Sequence, residues 1–192
     1  IDPPRKTVAS SVLKCKKAGI KPIMITGDSL NTAISIAKSV GIIENSNEGI
    51  LGSELDNYTD EELKSVITKY SVYARVTPEH KRRIVTVFQN MGKVVAMTGD
   101  GVNDAPAIKD AHVGIGMGIT GTEVTKNVAD VILLDDSFST IVDAVEEGRR
   151  IYANIRNNIV YSLSSNFAEI FVVLISMIFG YNILLPIHIL FI

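Results

Sequence analysis

Residues 159–179 contain one charged side chain, Glu169, and neither glycine nor proline. The run is roughly 21 residues long, close to the ~20 that carry an α-helix across a bilayer core. Residues 139–158, just before it, are charged at amphipathic helical spacing. Together they predict one long helix, with a water-exposed stalk at 137–158 and a membrane span at 159–179. At ~1.5 Å per residue its length would be about 60 Å. Arg149, Arg150 and Arg156 precede the span, which places residues 1–158 on the cytoplasmic side of the membrane. Residues 180–182 suit a turn, and 183–192 the start of a second, truncated span. A buried core helix of a larger soluble protein is the competing reading. The abrupt change of polarity and the second apolar run oppose it.

Before residue 137 the pattern changes. Short apolar runs at 22–25, 71–76, 93–97, 113–115 and 131–134 read as strands. Helical stretches follow two of them, at 29–39 (ending at Gly41) and at 77–90. Thr77 suits the N-cap of the second helix and Pro78 its first turn. A Gly/Asp loop and a short helix follow the 93–97 strand. Residues 60–69 read as a surface helix, and 44–58, polar and glycine-containing, as a connecting loop. Strands alternating with helices predict an α/β fold over residues 1–136, a Rossmann-like doubly wound parallel sheet.

The 192 residues allow one such domain plus a tail, with enough mass for a core. A net charge of -2 gives no footing for a nucleic-acid partner. The single cysteine, Cys15, rules out a disulfide framework and a multi-cysteine metal site. The chain opens Ile-Asp-Pro-Pro without a basic and apolar leader, and it stops inside an apolar run. It therefore reads as an internal piece of a longer protein.

The segment Thr98-Gly99-Asp100-Gly101-Val102-Asn103-Asp104-Ala105-Pro106 directly follows a predicted strand. Open α/β sheets bind ligands outside the carboxyl ends of their strands. Asp100 and Asp104, with Asn103 between them, form an oxygen-rich cluster of the kind Mg²⁺ takes, together with phosphate and water. Gly99 and Gly101 let the backbone turn tightly there. Thr26-Gly27-Asp28 lies at another strand end before a helix, where a hydroxyl, a glycine N–H and a helix N-terminus make an anion site; Asp28 as a simple helix cap is the plainer alternative. Lys81 lies in the first turn of its helix, where the dipole favours anions, so an anionic ligand nearby would relieve it; a solvated surface lysine is the alternative. His80 and His112 read as structural.

Asn166 and Glu169 are three apart and share one face of the predicted span. A carboxylate inside a membrane is costly and points to function. With the Asn oxygen it forms half of a cation site; a polar packing contact between spans is the alternative.

Taken together, these motifs resemble the P-type ATPases of the haloacid dehalogenase-like superfamily. The matching residues run from Asp2-Pro3-Pro4-Arg5 through Met24 to Asp28, Ala74 to Lys81 and Thr98 to Pro106. They continue through Phe138 to Val142, Glu146 to Arg149 and Ser164 to Glu169. Within the family the chain looks like the type II group of calcium and sodium/potassium pumps. The resemblance implies that Asp100 ligates Mg²⁺ and that Asn103 and Asp104 order the metal and phosphoryl site. It implies that Thr26 and Gly27 bind phosphate, that Lys81 neutralises the transferred group, and that Asp28 and Arg75 lie near the ATP. It also implies that Asn166 and Glu169 ligate the transported cation, with Ca²⁺ favoured by the Ser-Ser before Asn166. The family's nucleophile lies in Asp-Lys-Thr-Gly-Thr, and no Asp of this chain is followed by Lys. The expectation is a piece of an ATP-driven cation pump that is inactive alone. Its partners would be a lipid membrane and the upstream nucleotide-binding and actuator domains of the same chain. A sodium/potassium- or proton-type pump, or a soluble phosphatase of the same superfamily, are the alternatives.

Overall fold

The computed structural model describes residues 7–180. The Asp2–Arg5 motif and the expected second span at 183–192 lie outside the described residues. The chain divides between Asp143 and Ala144 into two units.

In the first unit a helix, α1 (Val8–Lys17), leads to β1 (Met24–Thr26) and α2 (Leu30–Ser39). Next come β2 (Gly49–Leu51), a one-turn helix α3 (Gly52–Leu55), α4 (Asp60–Val66) and β3 (Val72–Ala74). Then follow α5 (Pro78–Asn90), β4 (Ala96–Gly99), α6 (Ala105–Asp110), β5 (Val113–Met117), α7 (Glu123–Val128) and β6 (Val131–Leu133). All pairings are parallel, in two three-stranded sheets ordered β1-β3-β2 and β4-β5-β6. The expected parallel α/β architecture is present, with its strands shared between two sheets.

Alternation along β3 decides how the first sheet is sandwiched, because successive side chains point to opposite faces. Val72 and Ala74 pack with Ala33 and Ala37 of α2. Tyr73, between them, packs on the other face with Leu55, Leu63, Ile84, Val87 and Phe88 from α3, α4 and α5. Fully burying a side chain such as Leu63 stabilises the fold by about 1.5–3 kcal/mol. Tyr73 keeps its hydroxyl satisfied by donating to the Ile67 carbonyl at 3.0 Å, and burial pushes its pKa far upward. One residue along α5 from Ile84, Val85 turns to a third cluster with Met97, Ala107 and Ile108. Ile25 of β1 and Val95 pack against both the first and the third cluster. α5 thus joins the two sheets.

Two expectations need correction. Residues 44–58 are not a plain loop: they hold a 3₁₀ turn (Ser46–Glu48), β2 and α3. Their polar residues fold the chain locally. The Glu48 carboxylate accepts the N–H groups of Glu44 and Asn45 at 3.1 and 3.0 Å, and Glu54 accepts that of Leu51 at 2.9 Å. Ile50 alone in β2 is driven into the core. The strand expected at 93–97 lies at Ala96–Gly99 instead. The Val95 N–H donates to the His112 ring at 3.2 Å rather than to a neighbouring strand. The other strands begin or end within a few residues of their expected limits, and α4 with its 3₁₀ extension buries Leu63 and Ile67.

The last helix, α8 (Phe138–Ile178), is continuous over 41 residues, running through Gly148 in its charged part. Among the described residues it is the one helix long and apolar enough to cross a membrane. In the second unit its large apolar side chains, Ile155, Ile159, Leu163, Phe167, Phe171 and Leu174 among them, are exposed. Ser164 and Ser176 donate their hydroxyls to the carbonyls of Val160 and Val172, each at 2.8 Å. Such i to i−4 bonds satisfy a hydroxyl without water.

Candidate functional site

The site forms at the carboxyl ends of β1, β3 and β4. After β1 the Thr26 hydroxyl donates to the Asp28 carboxylate at 3.1 Å and accepts the Asp28 N–H at 3.1 Å. This small turn leaves Gly27 exposed, with open space where a side chain would be. The cap of α2 is Ser29, which accepts the Thr32 N–H at 3.3 Å. Asp28 is therefore not the helix cap.

After β3 the chain turns sharply. Arg75 holds φ at +50°, a left-handed conformation rare for a residue with a Cβ. Its N–H donates to the Asp28 carbonyl at 3.1 Å, and the Val76 N–H to the Thr26 carbonyl at 3.3 Å. The two strand-end loops are thereby tied together. Thr77 then caps α5 by accepting the His80 N–H at 3.3 Å, with Pro78 in the first turn. The His80 ring accepts the Thr77 N–H on Nδ1 at 3.2 Å. A nitrogen that accepts carries no proton, so Nε2 donates to Asp56, 2.9 Å away. His80 is the structural residue expected, with partners no sequence spacing pointed to.

One turn into α5, Lys81 meets Asp104, and the two side chains form an ion pair, 15% and 12% exposed. The anion beside this lysine, where an anionic ligand was expected, is thus the chain's own Asp104. Its other oxygen accepts the Gly101 N–H at 3.2 Å. Asp104 also lies beneath β4, so close that a Cβ on Gly99 would come 2.4 Å from its own Cβ. Only glycine fits there. Removing one member of such a pair leaves a buried charge and costs about 3–5 kcal/mol.

Asp100 and Asn103 are exposed on the same loop. The backbone of Asp100 is held from behind: its carbonyl accepts the Thr122 N–H at 2.9 Å and the Thr125 hydroxyl at 3.3 Å. The Thr125 hydroxyl lies 3.2 Å from the Gly101 carbonyl as well, and Thr125 is fully buried. Thr122 and Thr125 were missed in the sequence because they sit more than twenty residues beyond Asp100. A capping Thr before a helix looks the same whether or not it supports a site.

No group of three or more His, Cys, Asp or Glu able to hold a metal occurs among the described residues. The donor set at this loop is two carboxylates, one exposed and one already shared with a lysine. That suits Mg²⁺, which keeps several waters and takes one or two carboxylates plus substrate phosphate. It does not suit a metal caged by protein alone. Asn166 and Glu169 lie on α8 in the second unit, three residues apart on one helix face.

The haloacid dehalogenase-like hydrolase family matches residues 1–112. Calcium-transporting ATPase 1 of Bacillus cereus is 54% identical over 193 residues, covering 100% of this chain and 22% of that protein. The potassium-transporting ATPase alpha chain 2 of Rattus norvegicus is 45% identical, over 94% of this chain and 20% of that one. The crystal structure of a zinc-transporting PIB-type ATPase in its E2.Pi state matches with a TM-score of 0.67 at 29% identity, over 94% of this chain and 24% of that chain. The chain spans about a fifth of the length of these curated relatives.

Proposed function

The chain belongs to the haloacid dehalogenase-like hydrolases, and on that premise we propose that it is the phosphoryl-handling core and first following membrane helix of a P-type ATPase, an ATP-driven cation pump. The observation that carries this reading is the shielded Lys81–Asp104 pair set beside exposed Asp100 at the carboxyl end of a parallel strand. Phosphoryl transfer asks a protein mainly for positioning and charge stabilisation, and this loop supplies both.

In the proposed reaction a carboxylate oxygen of an upstream aspartate attacks the γ-phosphorus of ATP. The new oxygen–phosphorus bond forms as the bond to the β-phosphate oxygen breaks, and ADP leaves with that electron pair. Water later cleaves the acyl phosphate, returning the carboxylate and releasing phosphate. β1 and β4 each lack a strand partner on their outer side among the described residues. Ile25 next to one edge and Val95 next to the other share the same core. An upstream strand ending in the nucleophile would fit between them, with its carboxyl end at Thr26, Lys81 and Asp100.

Lys81 offsets phosphoryl charge through its ammonium. Thr26 and the exposed Gly27 N–H donate to phosphoryl oxygens, and Asp28 and Arg75 flank the bound nucleotide. Asp100 would hold Mg²⁺, with Asn103 and Asp104 ordering the metal and phosphoryl site, and the ion would supply neutralisation of phosphate charge. Residues 1–136 are the C-terminal part of the phosphorylation domain, 137–158 the stalk and 159–179 the span, with residues 1–158 cytoplasmic. Asn166 and Glu169 take the transported cation. Ca²⁺ is the proposed ion, supported by the higher identity to a calcium-transporting relative than to a potassium-transporting one.

Acid-stable phosphoenzyme formation from labelled ATP in the full-length parent tests this, with Ca²⁺, Na⁺ and K⁺ compared. Labelling switched on by Ca²⁺, lost in Asp100→Asn and blunted in Glu169→Gln is the expected result. Labelling dependent on Na⁺ or K⁺ overturns the ion and leaves the reaction. Full labelling of Asp100→Asn overturns the metal assignment.

A further inference from the structure

Two adjacent acids at the foot of α8 point their carboxylates in different directions. Asp135 turns to the helix, accepting the Ser137 N–H at 3.1 Å and the Thr140 hydroxyl at 2.6 Å. Asp136 turns away from it. Its carboxylate accepts the N–H groups of Ile119 and Thr120 at 3.0 and 2.7 Å, and the Thr120 hydroxyl at 2.8 Å. To do so it holds φ at +49°, which Asp tolerates better than most residues.

The segment that Asp136 grips is the loop between β5 and α7. It is pinned at three places. Gly118 donates to the Leu133 carbonyl at 2.8 Å, Ile119 and Thr120 donate to Asp136, and Thr122 donates to the Asp100 carbonyl at 2.9 Å. A Cβ on Gly121 would come 2.0 Å from the Met117 carbonyl oxygen, so the loop is pressed against its own strand. Only Gly121 separates Thr120 from Thr122. The link from the Asp136 carboxylate to the Asp100 backbone is therefore short and continuous.

We propose that Asp136 is a positioning residue for the phosphoryl site: by clamping loop 118–122 it holds the Asp100 carbonyl, and through it the Asp100 carboxylate, where the metal-dependent reaction needs it. The proposal rests on the reading of Asp100 given above. Asp136 would act on the site through this loop alone. Partial burial alone would raise its pKa, but the N–H groups of Ile119 and Thr120 and the Thr120 hydroxyl outweigh that and lower it to about 2. A depressed carboxylate contributes fully above its unfolded value near 3.8 and loses its contribution as pH falls towards 2. The clamp thus stays charged and closed at any pH near neutrality.

The test uses the full-length parent and reads the Mg²⁺ and transported-cation concentrations for half-maximal phosphoenzyme. Asp136→Ala raises the Mg²⁺ value about tenfold, the low end for losing a support behind a metal ligand, and leaves the cation value unchanged. Asp136→Asn, which keeps an acceptor, falls between. Thr120→Val, which removes the hydroxyl and keeps the N–H, raises the Mg²⁺ value about threefold. That variant decides the matter if Asp136→Ala does not fold. Asp143→Ala breaks an exposed 3.5 Å pair with Lys14 on the same helix foot and moves neither value. An unmoved Mg²⁺ value in both Asp136→Ala and Thr120→Val overturns the proposal. So does an equal shift of both concentrations, the mark of a general loss of structure. Failure of the wild-type parent to form any Mg²⁺-dependent phosphoenzyme overturns the underlying reading instead.

Discussion

After β1, Thr26 and Asp28 satisfy one another, and Gly27 and Asp28 are open to water. After β4, Asp104 is buried against Lys81 and Gly99, and a buried threonine holds the backbone of Asp100 from behind. Both loops sit at strand carboxyl ends and carry similar residues. The first is a surface turn whose donors must await a ligand. The second is preorganised, its charges placed before any ligand arrives. Electrostatic preorganisation of this kind is what lowers a barrier without reorganisation during the reaction. The two loops should therefore respond differently to substitution, with the second losing stability and chemistry together and the first losing ligand affinity alone.

The largest expected effect is at Lys81. Lys81→Met strands the buried Asp104 carboxylate and destabilises the parent by about 3–5 kcal/mol. Its thermal unfolding midpoint falls and phosphoenzyme formation is abolished. A variant with an unchanged midpoint would make the β4 loop no more preorganised than the β1 loop. Next is Gly99→Ala. Its Cβ meets the Asp104 side chain at 2.4 to 2.7 Å, and relieving that overlap costs about 1–3 kcal/mol. The matched change in the other loop, Gly27→Ala, meets open space and leaves stability within about 0.5 kcal/mol. Thermal unfolding of the two alanine variants side by side is the sharpest version of the comparison.

Smaller again is Thr77→Ala. It removes the N-cap of α5, the helix that carries Lys81 to Asp104, and costs about 1 kcal/mol. Its thermal unfolding midpoint falls accordingly, while Thr77→Ser holds it.

How these features showed in the sequence follows the same division. That Thr26-Gly27-Asp28 and Asp100 to Asp104 lie at strand ends was legible because each is a short contiguous motif directly after an apolar run. Thr77-Pro78 marked its helix start because caps are local too. The conflict between Lys81 and the helix dipole pointed to an anionic ligand, whereas the anion the structure places there is the chain's own Asp104. What escaped was non-local or disguised. β2 hides in a polar stretch because three residues, with Ile50 alone fully buried, leave no periodicity to detect. β4 begins later than its apolar run because the His112 ring, seventeen positions further on, takes the Val95 N–H. Asp136 and Thr125 act across the fold, and nothing in their neighbours' sequence says on what. The division of strands into two sheets is likewise a matter of pairing partners, which an alternating pattern does not encode.

The smallest effect belongs to the exposed loop. Thr26→Val removes a hydroxyl that, among the described residues, bonds only to Asp28. Both Asp28 atoms can turn to water instead, so stability changes by less than about 0.5 kcal/mol. If the hydroxyl instead serves a phosphoryl oxygen, its loss appears only when ligand is present. Inorganic phosphate then labels the parent with a half-saturating concentration raised about three- to tenfold, the range of one hydrogen bond. Thr26→Ser restores it. An unchanged phosphate dependence in Thr26→Val would leave Gly27 and Lys81 to bind the anion, and would make the β1 turn a connector rather than half of the site.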